Sequence, residues 1–327
     1  MPAPSHLRVW AALLTIYLVW GSTYLAIRYA VGAQEDDVGL PPLLMSGVRF
    51  ALAGAVLLAV TVRRPAADGR PDPLGRAQWR ATSIVGLSLL LGGNGGVVLA
   101  EDRGLDSGIV AVIVALIPLY VALIAAVRGE GGLGWPTRAG LLLGFAGVVL
   151  LINPGGGDSI EPIAAALALA APFSWACGSY YSQRAPLPRR PLVMTGMEML
   201  TGGAALAVAG LLRGEASGTR LDDVGADAWL AWVYLVVFGS LLAFTAYVWL
   251  LRNARLSLVT TYAYVNPVVA VLLGAAFLDE ALSARTVLAS GVILAGVALI
   301  VTTRRTTVPP GEEAGAGIPP NAARGVA

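Results

Sequence analysis

Lysine is absent from this sequence, cysteine and histidine occur once each, at Cys177 and His6, and only 13% of the 327 residues are charged. One cysteine leaves no disulfide within the chain, and one His and one Cys cannot assemble a metal site, so neither a metal nor a cofactor is expected. No Gly-x-x-x-x-Gly-Lys-Ser/Thr run is present, which argues against an intrinsic ATPase. The shortage of charge excludes most soluble classes, since a soluble globular chain carries about 25% charged residues. All 22 basic residues are arginine and lie scattered in loops, so the clustered basic face of a nucleic-acid partner is missing.

What the chain has instead is apolar residue, 57% of the total, gathered into runs of membrane-crossing length. Breaks of charge, Gly and Pro place spans at 9–31, 41–62, 80–100, 107–127, 137–152, 162–181, 191–212, 228–251, 256–278 and 286–303. The first run is too long for a signal-peptide core and is read as the first helix of the mature protein. Residues 304–327, rich in Gly, Ala and Pro, are expected to form a disordered tail. Cytoplasmic loops carry the excess of basic residues. With the N-terminus inside, fifteen arginines fall on the cytoplasmic side and only Arg103, Arg213, Arg220 and Arg285 opposite. The expected protein is all-α, with ten transmembrane helices, both termini cytoplasmic, in a bacterial-type inner membrane.

The chain also resembles itself. Pro42-Leu43-Leu44-Met45-Ser46-Gly47-Val48-Arg49 matches Pro191-Leu192-Val193-Met194-Thr195-Gly196-Met197-Glu198 at an offset of 149, which recurs for Pro118 with Pro267 and Gly147 with Gly296. Five spans per repeat is an odd number, so the second copy enters the membrane from the other side. Such inverted repeats are common in secondary transporters. The alternative is a duplication kept for stability alone.

Trp20-Gly21-Ser22-Thr23-Tyr24 with Arg28, Arg49-Phe50, Pro118 and Gly140-Leu141-Leu142-Leu143-Gly144-Phe145-Ala146-Gly147 resemble the first EamA domain of the drug/metabolite transporter superfamily. Ser174-Trp175-Ala176-Cys177-Gly178-Ser179 and Tyr262-Ala263-Tyr264-Val265-Asn266-Pro267, followed by Glu280, resemble the second. The resemblance runs over roughly residues 10–303, is nearest the YedA-like exporters, and departs from the family pattern at Arg128-Gly129-Glu130-Gly131-Gly132. It implies two EamA repeats, at 9–152 and 162–303, around a central cavity, and export of small metabolites by alternating access.

An ionisable group retained inside a membrane is a functional candidate by default. Arg28, near the end of the first span, either snorkels to the headgroups or serves coupling or gating. Arg49 and Glu198 occupy matching repeat positions with opposite charge, as gate or packing contacts, and Glu198 is the carboxylate expected to reach deep enough for proton coupling. Pro118 and Pro267 interrupt their spans, either as plain kinks or as points where freed carbonyls meet substrate. Asn266, Tyr262 and Tyr264 add polar groups beside Pro267. Trp20, Tyr24, Trp175 and Tyr180, with Asn94 in the run Gly92-Gly93-Asn94-Gly95-Gly96, complete the expected cavity set. A phosphate-cradling reading of that glycine run is weak, because no Lys or following Ser/Thr accompanies it. The expected partners are the lipid bilayer and a small-molecule substrate such as a metabolite, amino acid or drug-like compound. A passive channel or a sensor is the competing reading; a membrane-embedded enzyme lacks a nucleophile, metal cluster or carboxylate pair. Nothing in the sequence fixes oligomeric state.

Overall fold

The structure is a computed structural model that describes residues 6–32, 38–62, 74–129, 134–152, 161–218, 220–254, 259, 261–280 and 282–303. Its long elements are α1 (His6–Val31), α2 (Pro42–Thr61), α3 (Arg76–Asp102), α4 (Ser107–Val127), α5 (Trp135–Ile152), α6 (Pro162–Ser182), α7 (Pro191–Leu212), α8 (Ala226–Leu250), α9 (Tyr262–Phe277) and α10 (Ala284–Thr303). Seven of them, all but α5, α9 and α10, are long and apolar enough to cross a membrane, and these three hold shorter apolar stretches. No strand occurs among the described residues. The tail at 304–327, and much of the departure at Arg128–Gly132, lie outside the described residues.

Local sequence explains where these helices begin. Pro42, Pro162 and Pro191 stand in the first turns of α2, α6 and α7, where a missing N–H costs nothing and a fixed φ favours the helix. The free N–H groups of three helices are then capped by glutamates. Glu215 accepts from the Leu43 and Leu44 amides (3.0 and 2.9 Å), Glu280 from Ser107 and Gly108 (2.7 and 3.1 Å), and Glu161 from Ile163 and Ala164 (3.0 and 2.6 Å). A carboxylate at a helix N-terminus both satisfies donors and meets the positive end of the dipole. At C-termini, Arg190 donates to the Thr61 carbonyl (2.8 Å) and Arg285 to those of Leu150 and Leu151 (2.7 and 3.1 Å). We call the side where α1 begins and α10 ends the near face; α2, α4 and α6 begin at the far face.

Two helices are not regular. The middle of α3, Leu87–Asn94, and the middle of α8, Leu235–Leu242, are π-helical stretches of equal length. A π turn leaves carbonyls free for other partners. Ser174 on α6 donates to the Ser88 carbonyl (2.8 Å), and Trp20 on α1 donates through Nε1 to the Gly239 carbonyl (3.3 Å). In α4 a turn at Ala115–Leu116 separates Ser107–Val114 from Ile117–Val127, just before Pro118, whereas α9 continues through Pro267.

Glycine sets the closest helix crossings. A Cβ added at Gly47 would stand 2.4 Å from the Ala207 nitrogen, and one at Gly196 would stand 2.9 Å from Leu58 Cγ. A Cβ at Gly54 would meet the Leu200 nitrogen at 2.5 Å, and one at Gly203 the Ala51 nitrogen at 2.4 Å. Shifting one partner forward and the other back by the sequence offset of 149 converts each contact of a pair into the other. The same exchange holds between α5 and α10, where Gly147 meets Ile293 and Gly296 meets the Gly144 nitrogen. Small residues let helices approach closely in lipid, where packing drives association.

Candidate functional site

Between the α2–α7 and α5–α10 contacts lies a cavity of about 460 Å³, built from α1, α2, α3, α4, α6, α7, α8 and α9. Small-molecule sites fall in the range of about 300–1,000 Å³. The lining reaches the near face at Ser182, Gln183 and Pro191 and stops toward the far face at Ile27, Val97 and Val114. Beyond those residues a buried apolar cluster including Ala30, Leu105, Val110 and Leu116 fills the far side.

Aromatic rings dominate one wall. Trp20 has its ring centroid 5.2 Å from each of Phe244, Tyr247 and Tyr262, and Tyr247 lies edge-on to Tyr262 at 5.9 Å. Gly21 brings α9 against this wall, since a Cβ there would overlap Val269 at 2.6 Å. The Asn266 amide nitrogen, in the orientation its neighbours require, donates to the carbonyls of Tyr17 (3.3 Å) and Tyr262 (3.2 Å). Tyr17 in turn shares a short hydroxyl hydrogen bond with Thr261.

Arg49 on α2 reaches the cavity with only 3% of its surface exposed. Its Nε donates to the Ser240 hydroxyl (2.9 Å) in the π-helical stretch of α8, and its guanidinium carbon stands 4.5 Å from the Phe50 ring centre. A Cβ at Gly239 would lie 3.1 Å from Arg49 Nη2, so glycine leaves room for the guanidinium. Arg49 Nη1, Asn94 Oδ1 and Glu198 Oε1 are all buried without a hydrogen-bond partner, and all three residues line the cavity. A buried polar atom left unpaired costs about 1–3 kcal/mol, more when charged. A bound solute that pairs them recovers that cost.

Of the residues expected from sequence, Trp20, Tyr24, Arg49, Asn94, Trp175, Glu198, Tyr262 and Asn266 come together around this space. Pro118, Tyr180, Pro267 and Arg28 stand outside the lining. Pro118 starts the second segment of α4; Pro267 is buried within α9; Tyr180 is buried with the Arg184 guanidinium 4.3 Å over its ring; and Arg28 donates to the Glu101 carbonyl (2.8 Å) at the end of α3. The Tyr264 side chain lies outside the described residues. Sequence reading missed Phe244 and Tyr247, whose three-residue spacing on one helix face inside a span was the available signal. Among the described residues no group of three or more His, Cys, Asp or Glu side chains is placed to hold a metal.

Comparison with known proteins follows the same outline. The chain is 41% identical over 296 residues to the "Uncharacterized inner membrane transporter YedA" of Escherichia coli strain K12, covering 90% of each. It is 26% identical over 290 residues to a Salmonella typhimurium protein named "Probable amino-acid metabolite efflux pump", covering 87% of this chain and 91% of that one. A solved crystal structure at 23% identity matches with a TM-score of 0.56 over 93% of this chain and 100% of its own, which supports the fold. Its relatives are named as transporters rather than enzymes. Residues 8–153 and 162–302 each match the EamA-like transporter family, and the chain belongs to that family of membrane transporters.

Proposed function

We propose that this chain is a secondary-active transporter with ten membrane spans, built as two inverted five-helix units over residues 9–152 and 162–303, with the near face and both termini cytoplasmic. Its cargo is a small dipolar organic solute, exported by alternating access. The observation that carries this reading is the cavity itself, where a guanidinium, an amide oxygen and a carboxylate oxygen stand unpaired beside an aromatic wall. A solute with a negative group for Arg49, a positive group for Glu198 and an apolar body for Trp20, Tyr24, Trp175 and Tyr262 fits that lining; Asn94 and Asn266 supply the neutral polar contacts. Amino-acid-like metabolites have this make-up, in line with the name of the Salmonella relative.

The apolar cluster on the far side supports alternating access over a passive channel, because a cavity open at one end must close there before it releases cargo at the other. In this reading Pro118 and Pro267 shape helices that move, and Arg28 holds the far-face end of α3 through the Glu101 carbonyl. The test is counterflow in proteoliposomes preloaded with a panel of L-amino acids. The wild type is expected to show saturable exchange of at least one of them, and Arg49→Gln is expected to abolish it. Unsaturable flux, or no flux with any of the panel, would sink this assignment.

A further inference from the structure

A second buried carboxylate lies outside the cavity. Glu101, at the far-face end of α3, is fully buried, and neither of its carboxyl oxygens has a hydrogen-bond partner. The nearest cation does not neutralise it by direct bonding: Arg28 spends Nη1 on the backbone carbonyl of the same residue. The groups around it are few. From α1, Tyr24 and Arg28 lie within electrostatic reach, and from the α9–α10 connection Glu280 does. On its own element Asp102 faces Arg103, Arg213 and Arg28. Asp106 and Ser107 follow in the turn to α4, and the Ser107 hydroxyl is buried without a partner. Against the preceding turn of α3, α2 and α6 bring Leu43 and Ala171 to Gly95 and Gly96.

Glu280 is the telling neighbour. Both of its oxygens accept amide N–H groups at the N-terminus of α4, an arrangement that stabilises the ionised carboxylate. Glu101 therefore sits beside a fixed negative charge, out of water, with no donor of its own. Two carboxylates in one dry site do not both ionise. The proton belongs on Glu101. Tyr24 connects this group to transport, because it lines the cavity and also lies within electrostatic reach of Glu101.

We propose that Glu101 is the proton-binding site that couples transport to the proton gradient, a proposal that rests on the secondary-active reading above. The carboxyl group holds a proton while the far side is packed shut. When that side opens, water and the Arg28 guanidinium reach the carboxyl, the proton leaves to the far face, and the resulting carboxylate pairs with Arg28. Closing the far side again requires a proton back on Glu101. Sequence reading gave this role to Glu198; in the structure Glu198 faces the cavity, where cargo reaches it, and Glu101 is the carboxyl shut away from both faces.

The test uses the full chain in lipid nanodiscs and in proteoliposomes. Infrared spectra at neutral pH are expected to carry a protonated-carboxyl C=O band that persists in Glu198→Gln and is lost in Glu101→Gln. Should Glu101→Gln fail to fold, Glu101→Asp keeps a carboxyl in a changed setting and is expected to shift the band. A band untouched by either Glu101 substitution overturns the proposal. In proteoliposomes, flux of the L-amino-acid panel is expected to respond to an imposed pH gradient in the wild type and to lose that response in Glu101→Gln; a retained response also overturns it. If the wild type moves none of the panel, the assignment of cargo fails, while the infrared result still decides where the proton sits.

Discussion

Helices α2 and α7 are built on one pattern and carry opposite charges. Both begin with proline, both place glycines where the other's backbone passes, and their contacts interchange when the partners are exchanged. At the matching positions Arg49 and Glu198 the likeness ends. Arg49 meets a glycine and a serine in the π-helical stretch of α8, so its guanidinium has room and one anchor. The corresponding positions of α3, 149 residues earlier, are Leu90 and Leu91, and the buried Oε1 of Glu198 has no partner. Packing between the halves is reciprocal and chemistry is not. The difference teaches that an inverted frame supplies the two ends of a site while divergence at one residue in each half supplies its polarity.

That contrast can be broken most forcefully at the glycines. Gly47→Ala is expected to be the most damaging change, because its Cβ meets the Ala207 backbone, and backbone cannot turn aside. Overpacking of this kind costs about 1–3 kcal/mol or more, read as lost monodisperse protein and a lower melting temperature. Gly196→Ala meets only the Leu58 side chain and is expected to cost clearly less. Equal losses would mean that the crossing is more symmetric than its contacts.

Next in size is the charge pair. Glu198→Gln is expected to abolish exchange of dipolar solutes while leaving melting temperature unchanged or slightly raised, since it replaces a poorly partnered buried carboxylate by a neutral isostere. A marked fall in stability on that substitution would reassign Glu198 to packing. Ser240→Ala is expected to weaken Arg49 by about 1.5–3 kcal/mol, the range for a hydrogen bond to a charged group, and the loss should vanish in an Arg49→Gln background. The smallest effect belongs to Ser174→Ala, which removes a neutral hydrogen bond to the π-helical stretch of α3 and is expected to cost about 1 kcal/mol in thermal denaturation.

Much of this molecule is legible in its sequence because lipid imposes simple rules. Apolar runs mark helices, and the structure moves their ends by a few residues, from 80–100 to Arg76–Asp102 and from 256–278 to Tyr262–Phe277. The offset of 149 names the residues that meet at the α2–α7 crossing, and eight of the expected site residues line one cavity. What escaped is what periodicity cannot register. Leu87–Asn94 reads as an ordinary apolar helix, and nothing in its composition announces a π-helical stretch. Glu101 stands beside Asp102 and Arg103 and so reads as the start of a polar loop; only the packing of α1 and α4 around it makes it a buried carboxyl. Pro118 and Pro267 were visible as helix breakers, but which side of a helix faces the cavity depends on neighbours hundreds of residues away.

Trp20 gives the cavity an optical reporter of its own. The indole lines the space, its N–H is held by the Gly239 carbonyl, and two tyrosine rings stand 5.2 Å from it. Trp10 and Trp135, by contrast, are more than half exposed on the outer surface. A solute entering the cavity displaces water from an indole already fed by energy transfer from its tyrosine neighbours, so its arrival shifts emission excited through tyrosine while the outer tryptophans stay constant. Binding can therefore be followed by fluorescence in the unlabelled protein, before any cargo has been named.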